Sequence, residues 1–448
     1  MEEKHDYRTY KDNGAATAQQ RSPRRWCLLL IAAAMALPQL LQAQDTIRMT
    51  LAQCLEYAYG HNSSICSAAL DKENAVAALA GARLRFTPTI IASAGESWNF
   101  QDGTSTRDGS YGLNGSLTLF SGLSNLRNYR QSRVNVASSE AKIQQTANNI
   151  SSQIIESYLT ILMNREKLSY QYEVLHRSRE QMEEGLLKHS VGKMLESDYL
   201  LLEANYENAS TTLENTKLTI ASNLLALRTL MGCDSVVDAV DALLLLPDTT
   251  LPALAQVMTQ ARATLPDYTI NDLAVERARY DVKLAQSSYL PTLSLSAGTT
   301  HYGGRIGQVN GSGTVVSSEG TSSNVGLSLN IPIFNQGTHR TQLKQSKINL
   351  QQAELSRQQA IRDLDRQIEG QFLTTQQALN LYNSAAKLQK AYKANYDVYA
   401  AKYAEGMVTT VTMLQQQDQY LSATNDYLQN KYSYLLDRMI LNIYMGAE

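Results

Sequence analysis

The six histidines of this chain, His5, His61, His176, His189, His301 and His339, are scattered and show none of the close pair spacings that a zinc site uses. Past residue 43 only Cys54, Cys66 and Cys233 remain, an odd number at spacings that match no metal motif. They read as small buried hydrophobes. The sequence contains no nucleophile elbow, no P-loop and no Rossmann glycine set. Gly303-Gly304-Arg305-Ile306-Gly307 follows a strand pattern but opens no helix, so it reads as a loop. No catalytic, metal or cofactor-binding residue emerges, and an enzyme is not expected. The spacings that do carry information belong to glycine, proline and the aromatic residues.

The chain has 448 residues, 43% of them hydrophobic, with 40 basic against 42 acidic side chains. A core is possible, and nothing suggests the basic face that nucleic acid demands. The aromatic set is 25 Tyr against 5 Phe and 2 Trp, which suits half-wet helices and membrane interfaces. Arg21, Arg24 and Arg25 precede an apolar run from Trp26 to Leu37, and Leu41-Gln42-Ala43 then offers a small residue before a cut ahead of Gln44. That order predicts a secretory signal over residues 1–43, with an extended N-terminus. Cys27 opens the apolar run rather than closing it, so lipidation is not expected.

The remainder reads as one unit written twice. Leu51-Ala52-Gln53 recurs as Leu254-Ala255-Gln256, and Phe86-Thr87-Pro88 as Tyr289-Leu290-Pro291, both at an offset of 203. Phe120 and Phe334, Gly192 and Gly406, and Leu230-Met231-Gly232 and Tyr444-Met445-Gly446 all share an offset of 214. The change falls in one longer Gly/Ser loop around Gly303 to Ser323. An internal tandem repeat follows: residues 44–232 form the first unit, 233–252 a linker and 253–446 the second.

Each unit predicts a helix (about 51–85 and 254–289), a β-hairpin (88–121 and 291–334), a very long helix and a shorter returning one. Pro88 and Pro291 end the first helices. In the hairpins Ile90, Ala92 and Ala94, then Leu113, Leu117 and Leu119, then Leu293, Leu295 and Ala297, then Val325, Leu327, Leu329 and Ile331 take one parity. Asn, Ser, Thr and Gly take the other. This period of two, over strands of about ten residues, suits a tilted membrane strand. Phe86, Phe120, Tyr289 and Phe334 mark the helix-proximal ends, and Trp98, Phe100, Tyr111 and Tyr302 the distal ones, as two aromatic belts. Glu96 falls on the apolar parity, which a bulge at Gly95 or a place above the bilayer would accommodate.

Between Leu123 and His189, and between Thr338 and Glu405, there is no proline. Ala147, Ile150, Ile154, Tyr158 and Ile161, answered by Ile361, Leu364, Ile368, Phe372 and Thr375, step by threes and fours as a coiled-coil seam does. Gly192 and Gly406 then break each helix, and Gly232 and Gly446 end the returning ones. Four strands per chain leave two open edges, which lipid does not tolerate, so copies must close the barrel together. Three copies give twelve strands and a bore. The expected fold is an α+β membrane protein: a trimeric 12-stranded barrel continued by a long α-helical coiled-coil barrel.

This order resembles the TolC-type outer-membrane efflux proteins over Leu51 to Gly446. Lys402-Tyr403-Ala404-Glu405-Gly406-Met407-Val408-Thr409 looks like the family's aromatic-x-x-Gly turn, and His189-Ser190-Val191-Gly192 stands in its place in the first unit. Leu119-Phe120-Ser121-Gly122 and Ile333-Phe334-Asn335-Gln336-Gly337 are similar to the family's strand ending. The resemblance implies a homotrimer in the bacterial outer membrane with a long periplasmic extension. It also implies a passive exit duct whose tip meets a periplasmic adaptor (a membrane fusion protein) serving an inner-membrane pump of the resistance-nodulation-division or ABC type, for efflux or type I secretion. The docking turns would be Val191, Gly192, Lys193 and Met194, with Tyr403, Gly406, Met407, Val408 and Thr409. Some members close the tip with two aspartates after the second turn. Those positions here are Thr412 and Gln415, while Asp198 matches the acidic position after the first turn. These three are the aperture candidates. The alternative is an exported coiled-coil scaffold or adaptor without a pore.

Overall fold

The structure is a computed structural model that describes residues 47–101, 104–240, 250–306 and 316–446. The expected signal segment, 1–43, and residues 241–249 of the expected linker lie outside the described residues.

The first half runs β1 (Ile47–Met49), α1 (Leu51–His61), α2 (Ser63–Leu84), β2 (Thr89–Gln101), β3 (Thr104–Ser121), α3 (Ser124–Ser190) and α4 (Glu196–Met231). After β4 (Val237–Ala239) the second half runs α5 (Leu254–Thr264), α6 (Pro266–Ser287), β5 (Thr292–Ile306), β6 (Val316–Asn330), α7 (Thr338–Ala404) and α8 (Thr410–Met445). Helices of 11, 22, 67 and 36 residues occur in that order in each half.

Where one helix was expected at the start of each half, there are two. Thr50 caps α1 in a capping box with Gln53. Asn62 then ends α1 and starts α2, because its Oδ1 accepts from the Ser64 and Ile65 amides at 2.8 and 3.2 Å. Its Nδ2 donates to Leu230 O at 2.6 Å, which ties the break to the far end of α4. In the second half Pro266 opens α6 at its first turn and holds Leu265 extended. Both breaks are crowded by the glycine that ends the returning helix. A Cβ on Gly232 would lie 2.6 Å from His61 O, and one on Gly446 2.8 Å from Thr264 Cγ2.

The stretch expected as linker contributes β4, which pairs parallel with β1. This small ribbon lies on the middle of α3. The Tyr158 hydroxyl sits 2.6 Å from Val240 O and 3.2 Å from Met49 O, and Arg165 pairs with Asp238 and donates to Ala239 O. The expected seam of α3 is buried in a core that this ribbon shares with α1 and α4. Ile154, Tyr158 and Ile161 join Cys54, Ala58, Val237, Ala239, Leu227 and Met231 in the main core. Cys54 and Cys233 are buried there as expected, and burial pushes the Cys54 thiol up to about 11. Cys66 is exposed, against expectation. A matching core joins Val257, Ala261 and Leu265 to Ile368 and Leu441.

Ile154 has no accessible surface and sits at the centre of this core. Ile154→Ala is expected to cost about 2–5 kcal/mol and to lower the thermal transition of the purified protein. A second test uses pH. Arg262 donates to Asp365 from Nε at 3.1 Å and Nη2 at 2.6 Å, and the Tyr268 hydroxyl donates to it at 2.7 Å. The Arg262 hydrogen bond is the main cause that holds this carboxyl below its usual range. A lowered folded pKa stabilises above the unfolded value and is lost as pH falls through the folded one. Thermal stability should therefore fall as pH drops below about 4, and Asp365→Asn should flatten that dependence.

Candidate pore wall and periplasmic tip

β2, β3, β5 and β6 form one antiparallel sheet in the order β2-β3-β5-β6, so β2 and β6 are its free edges. Ile90, Gly115, Ala297 and Val325 stand in one row across it. Leu117, Leu295 and Leu327 stand in another. The apolar parity is thus continuous over all four strands. These side chains have no cover: Ile90 is 73% exposed, Val325 79% and Leu327 66%. The opposite face carries Ser116, Ser294, Ser296, Ser328, Asn114 and Asn324. Among the described residues no helix is long and apolar enough to cross a membrane.

The register corrects several expectations. The strands have 13, 18, 15 and 15 residues rather than about ten, and β6 ends at Asn330, so Ile331 to Phe334 are not strand. Gly303 to Ile306 belong to β5, not to a loop. The pairing of β2 runs without interruption past Gly95, and the bulge lies instead between Thr118 and Phe120. That bulge puts Phe120, not Leu119, opposite Leu293. Glu96 stays on the apolar parity and forms an ion pair with Arg107. Tyr302 falls on the polar face, its ring over Gly320, and so stands outside the distal belt of Trp98, Phe100 and Tyr111.

At the other end of the molecule the two turns share one geometry. Gly192 and Gly406 have φ of 72° and 73°, a region open to glycine without a Cβ penalty. Gly192 N donates to His189 O at 2.9 Å and Lys193 N to Lys188 O at 2.8 Å; Gly406 N donates to Tyr403 O at 2.9 Å and Met407 N to Lys402 O at 2.8 Å. Each is a doubly bonded C-cap that reverses the chain. Val191, Lys193, Met407 and Thr409 are exposed, whereas Met194, Tyr403 and Val408 are half-buried. Met194 and Tyr403 pack on a small core of Leu202, Tyr396 and Met413. The Lys188 ammonium lies 5.5 Å from the Tyr403 ring and links the two turns. Of the aperture candidates, Asp198 is half-buried in the first turn of α4. Thr412 bonds the capping Thr409 hydroxyl at 2.9 Å, and Gln415 is exposed.

A tyrosine ladder between α7 and α8 went unread in the sequence. Tyr396 stacks on Tyr420 at 5.7 Å, and Tyr382 meets Tyr427 and Tyr434 at 5.9 and 6.2 Å. The spacing of Tyr420, Tyr427 and Tyr434, one heptad apart, is the signal that could have revealed it.

The family model for outer membrane efflux proteins matches residues 54–233 and 257–447. The chain belongs to the outer membrane efflux protein family. It is a channel subunit of the outer membrane and not an enzyme, and the scaffold alternative is not favoured. The chain is 25% identical over 344 residues to the outer membrane efflux protein BepC of Brucella suis, covering 73% of this chain and 70% of that one. It is 26% identical over 180 residues to the outer membrane protein TolC of Escherichia coli, 39% of this chain and 36% of that one. The solved structure of CusC, described as forming a transmembrane channel, superposes with a TM-score of 0.75 at 18% identity, covering 89% of this chain and 92% of that one.

The two sheet faces should separate on substitution. Leu327→Arg, on the apolar parity, is expected to cost roughly 2–4 kcal/mol at mid-bilayer and to reduce the assembled form in outer-membrane fractions. Ser328→Arg should assemble normally, and equal loss from both would contradict the parity.

Proposed function

We propose that three copies of this chain close a twelve-stranded barrel and continue it as a helical tube, a passive exit duct for substrates that a periplasmic adaptor and an inner-membrane pump deliver. The observation that carries this reading is the four-stranded sheet with an uncovered apolar face and free edges at β2 and β6. An unpaired edge in lipid leaves backbone donors and acceptors without partners at several kcal/mol each. Pairing β6 of one copy with β2 of the next removes both edges, and three copies are the smallest closed ring that keeps a bore. The pump is of the resistance-nodulation-division or ABC type. The matched helix lengths in the two halves support a duplicated unit, residues 44–232 and 253–446, and place both tip turns about 100 Å from the sheet.

The docking rim comprises Val191, Gly192, Lys193 and Met194 with Tyr403, Gly406, Met407, Val408 and Thr409. Exposed Val191 and Met407 offer its apolar contacts. Asp198, Thr412 and Gln415 line the aperture behind it. Detergent-extracted protein should run near three chain masses, and a folded aqueous monomer would end the reading. Met407→Asp should leave that oligomer intact while abolishing efflux and adaptor cross-linking. Normal export with cross-linking preserved would remove the rim from its docking role.

A further inference from the structure

The apolar face of the sheet changes character toward the hairpin ends. One row holds Ala94, Tyr111, His301 and Thr321, and the next Glu96, Gly109, Gly303 and Glu319. The row beyond begins Trp98 and Arg107. Two glycines side by side leave the layer of side chains missing there. The result is an open trough of about 540 Å³ floored by Gly109 and Gly303. Tyr111 and His301 wall it on the membrane side, their rings 4.9 Å apart. Arg107, 5.8 Å from the Trp98 ring and paired with Glu96, stands in the row beyond. Glu96 lines one end, and Glu319 stands beside Gly303 in the same row. The imidazole is held edge-on, with Nδ1 3.0 Å from Thr321 Oγ1 and Nε2 3.2 Å from Glu319 Oε1.

Its height is set by the strand. From Leu329 to Glu319 is about 33 Å along β6, or roughly 25 Å of height at the usual barrel tilt, the depth of the apolar band of an outer-membrane barrel. The trough therefore lies where acyl chains give way to headgroups, on the side away from the helices. In an outer membrane that leaflet presents sugars.

We propose that the trough is a saccharide-binding site that takes a sugar ring from the headgroup of an outer-leaflet glycolipid. Flat faces of Tyr111 and Trp98 offer stacking surface with a polar edge. Glu96 and Glu319 accept hydrogen bonds from ring hydroxyls, and Arg107 donates them. The inference rests on the outward placing of the Leu327 face, which the Leu327→Arg and Ser328→Arg pair tests separately.

The test uses the full chain purified in detergent, with a phosphate-free monoglucosyl diacylglycerol and phosphatidic acid of the same acyl chains as probes and native mass spectrometry as the readout. The glycolipid should be retained at least ten-fold more than phosphatidic acid. Gly303→Leu should abolish that excess without harming assembly, since a Cβ at Gly303 meets nothing within 4 Å. Should Gly303→Leu not assemble, Gly109→Ala replaces it, its added carbon 3.7 Å from Gly303 O, and a several-fold loss is expected. Equal retention of the two lipids, or undiminished glycolipid binding by the assembled filled-trough variant, overturns the proposal.

Discussion

Backbone amides in hydrocarbon must find partners, and the architecture of this chain follows from that demand. Within the chain β3 and β5 are satisfied on both sides, while β2 and β6 each offer a free edge. The uncovered side chains beside those edges, Val325, Leu327 and Leu329, suit lipid and would be unsuitable in water. A soluble monomer would have to hide both features at once. Everything beyond the sheet can be wet, and the long helices are built accordingly. They carry one narrow apolar stripe each, with Asn, Gln, Ser and Thr on the remainder.

The helical half is held by close approach more than by bulk. Gly232 and Gly446 let the returning helices end against the breaks at Asn62 and Leu265-Pro266, where any Cβ would collide. At the junction with the sheet, Gly122 and Leu123 turn the first chain segment, and Gln336 and Gly337 the second, all at positive φ. A Cβ on Gly122 would sit 2.6 Å from Ser287 O, the end of α6, where Arg127 also bonds Ser287 Oγ at 2.8 Å. The first junction of sheet and helix is thereby crowded, whereas a Cβ on Gly337 at the second would meet nothing within 4 Å.

Much of this was legible in the sequence because the signals are periodic and long. Strand parity survives from Leu293 to Leu329, and an unbroken run of 67 residues leaves little room for misreading. What escaped depends on contacts made at a distance. Asn62 looks like any polar helix position until its amide reaches Leu230 O. Pro266 did carry a local signal. β1 and β4 have three residues each, too few to show a period, and exist because α3 offers Tyr158 and Arg165 to their backbones. The partial burial of Met194 at the tip reflects packing between two hairpins, which neither turn sequence reveals alone. The bulge after Thr118 has no residue signature at all, yet it decides that Phe120 and not Leu119 shares the face of Leu293.

Equal lengths in the two hairpin arms, 67 and 36 residues in each half, act as a gauge. Each helical residue advances the chain about 1.5 Å, so removing one heptad from a single arm would set one turn back by about 10 Å and leave the other in place. The rim would become ragged, and the Lys188–Tyr403 contact between the turns would be lost. A member of such a fold can therefore change its reach across the periplasm only by paired insertions or deletions, made in both halves and in whole heptads. Length variation among such chains should be quantised and correlated between halves, while the loops at the hairpin ends drift freely.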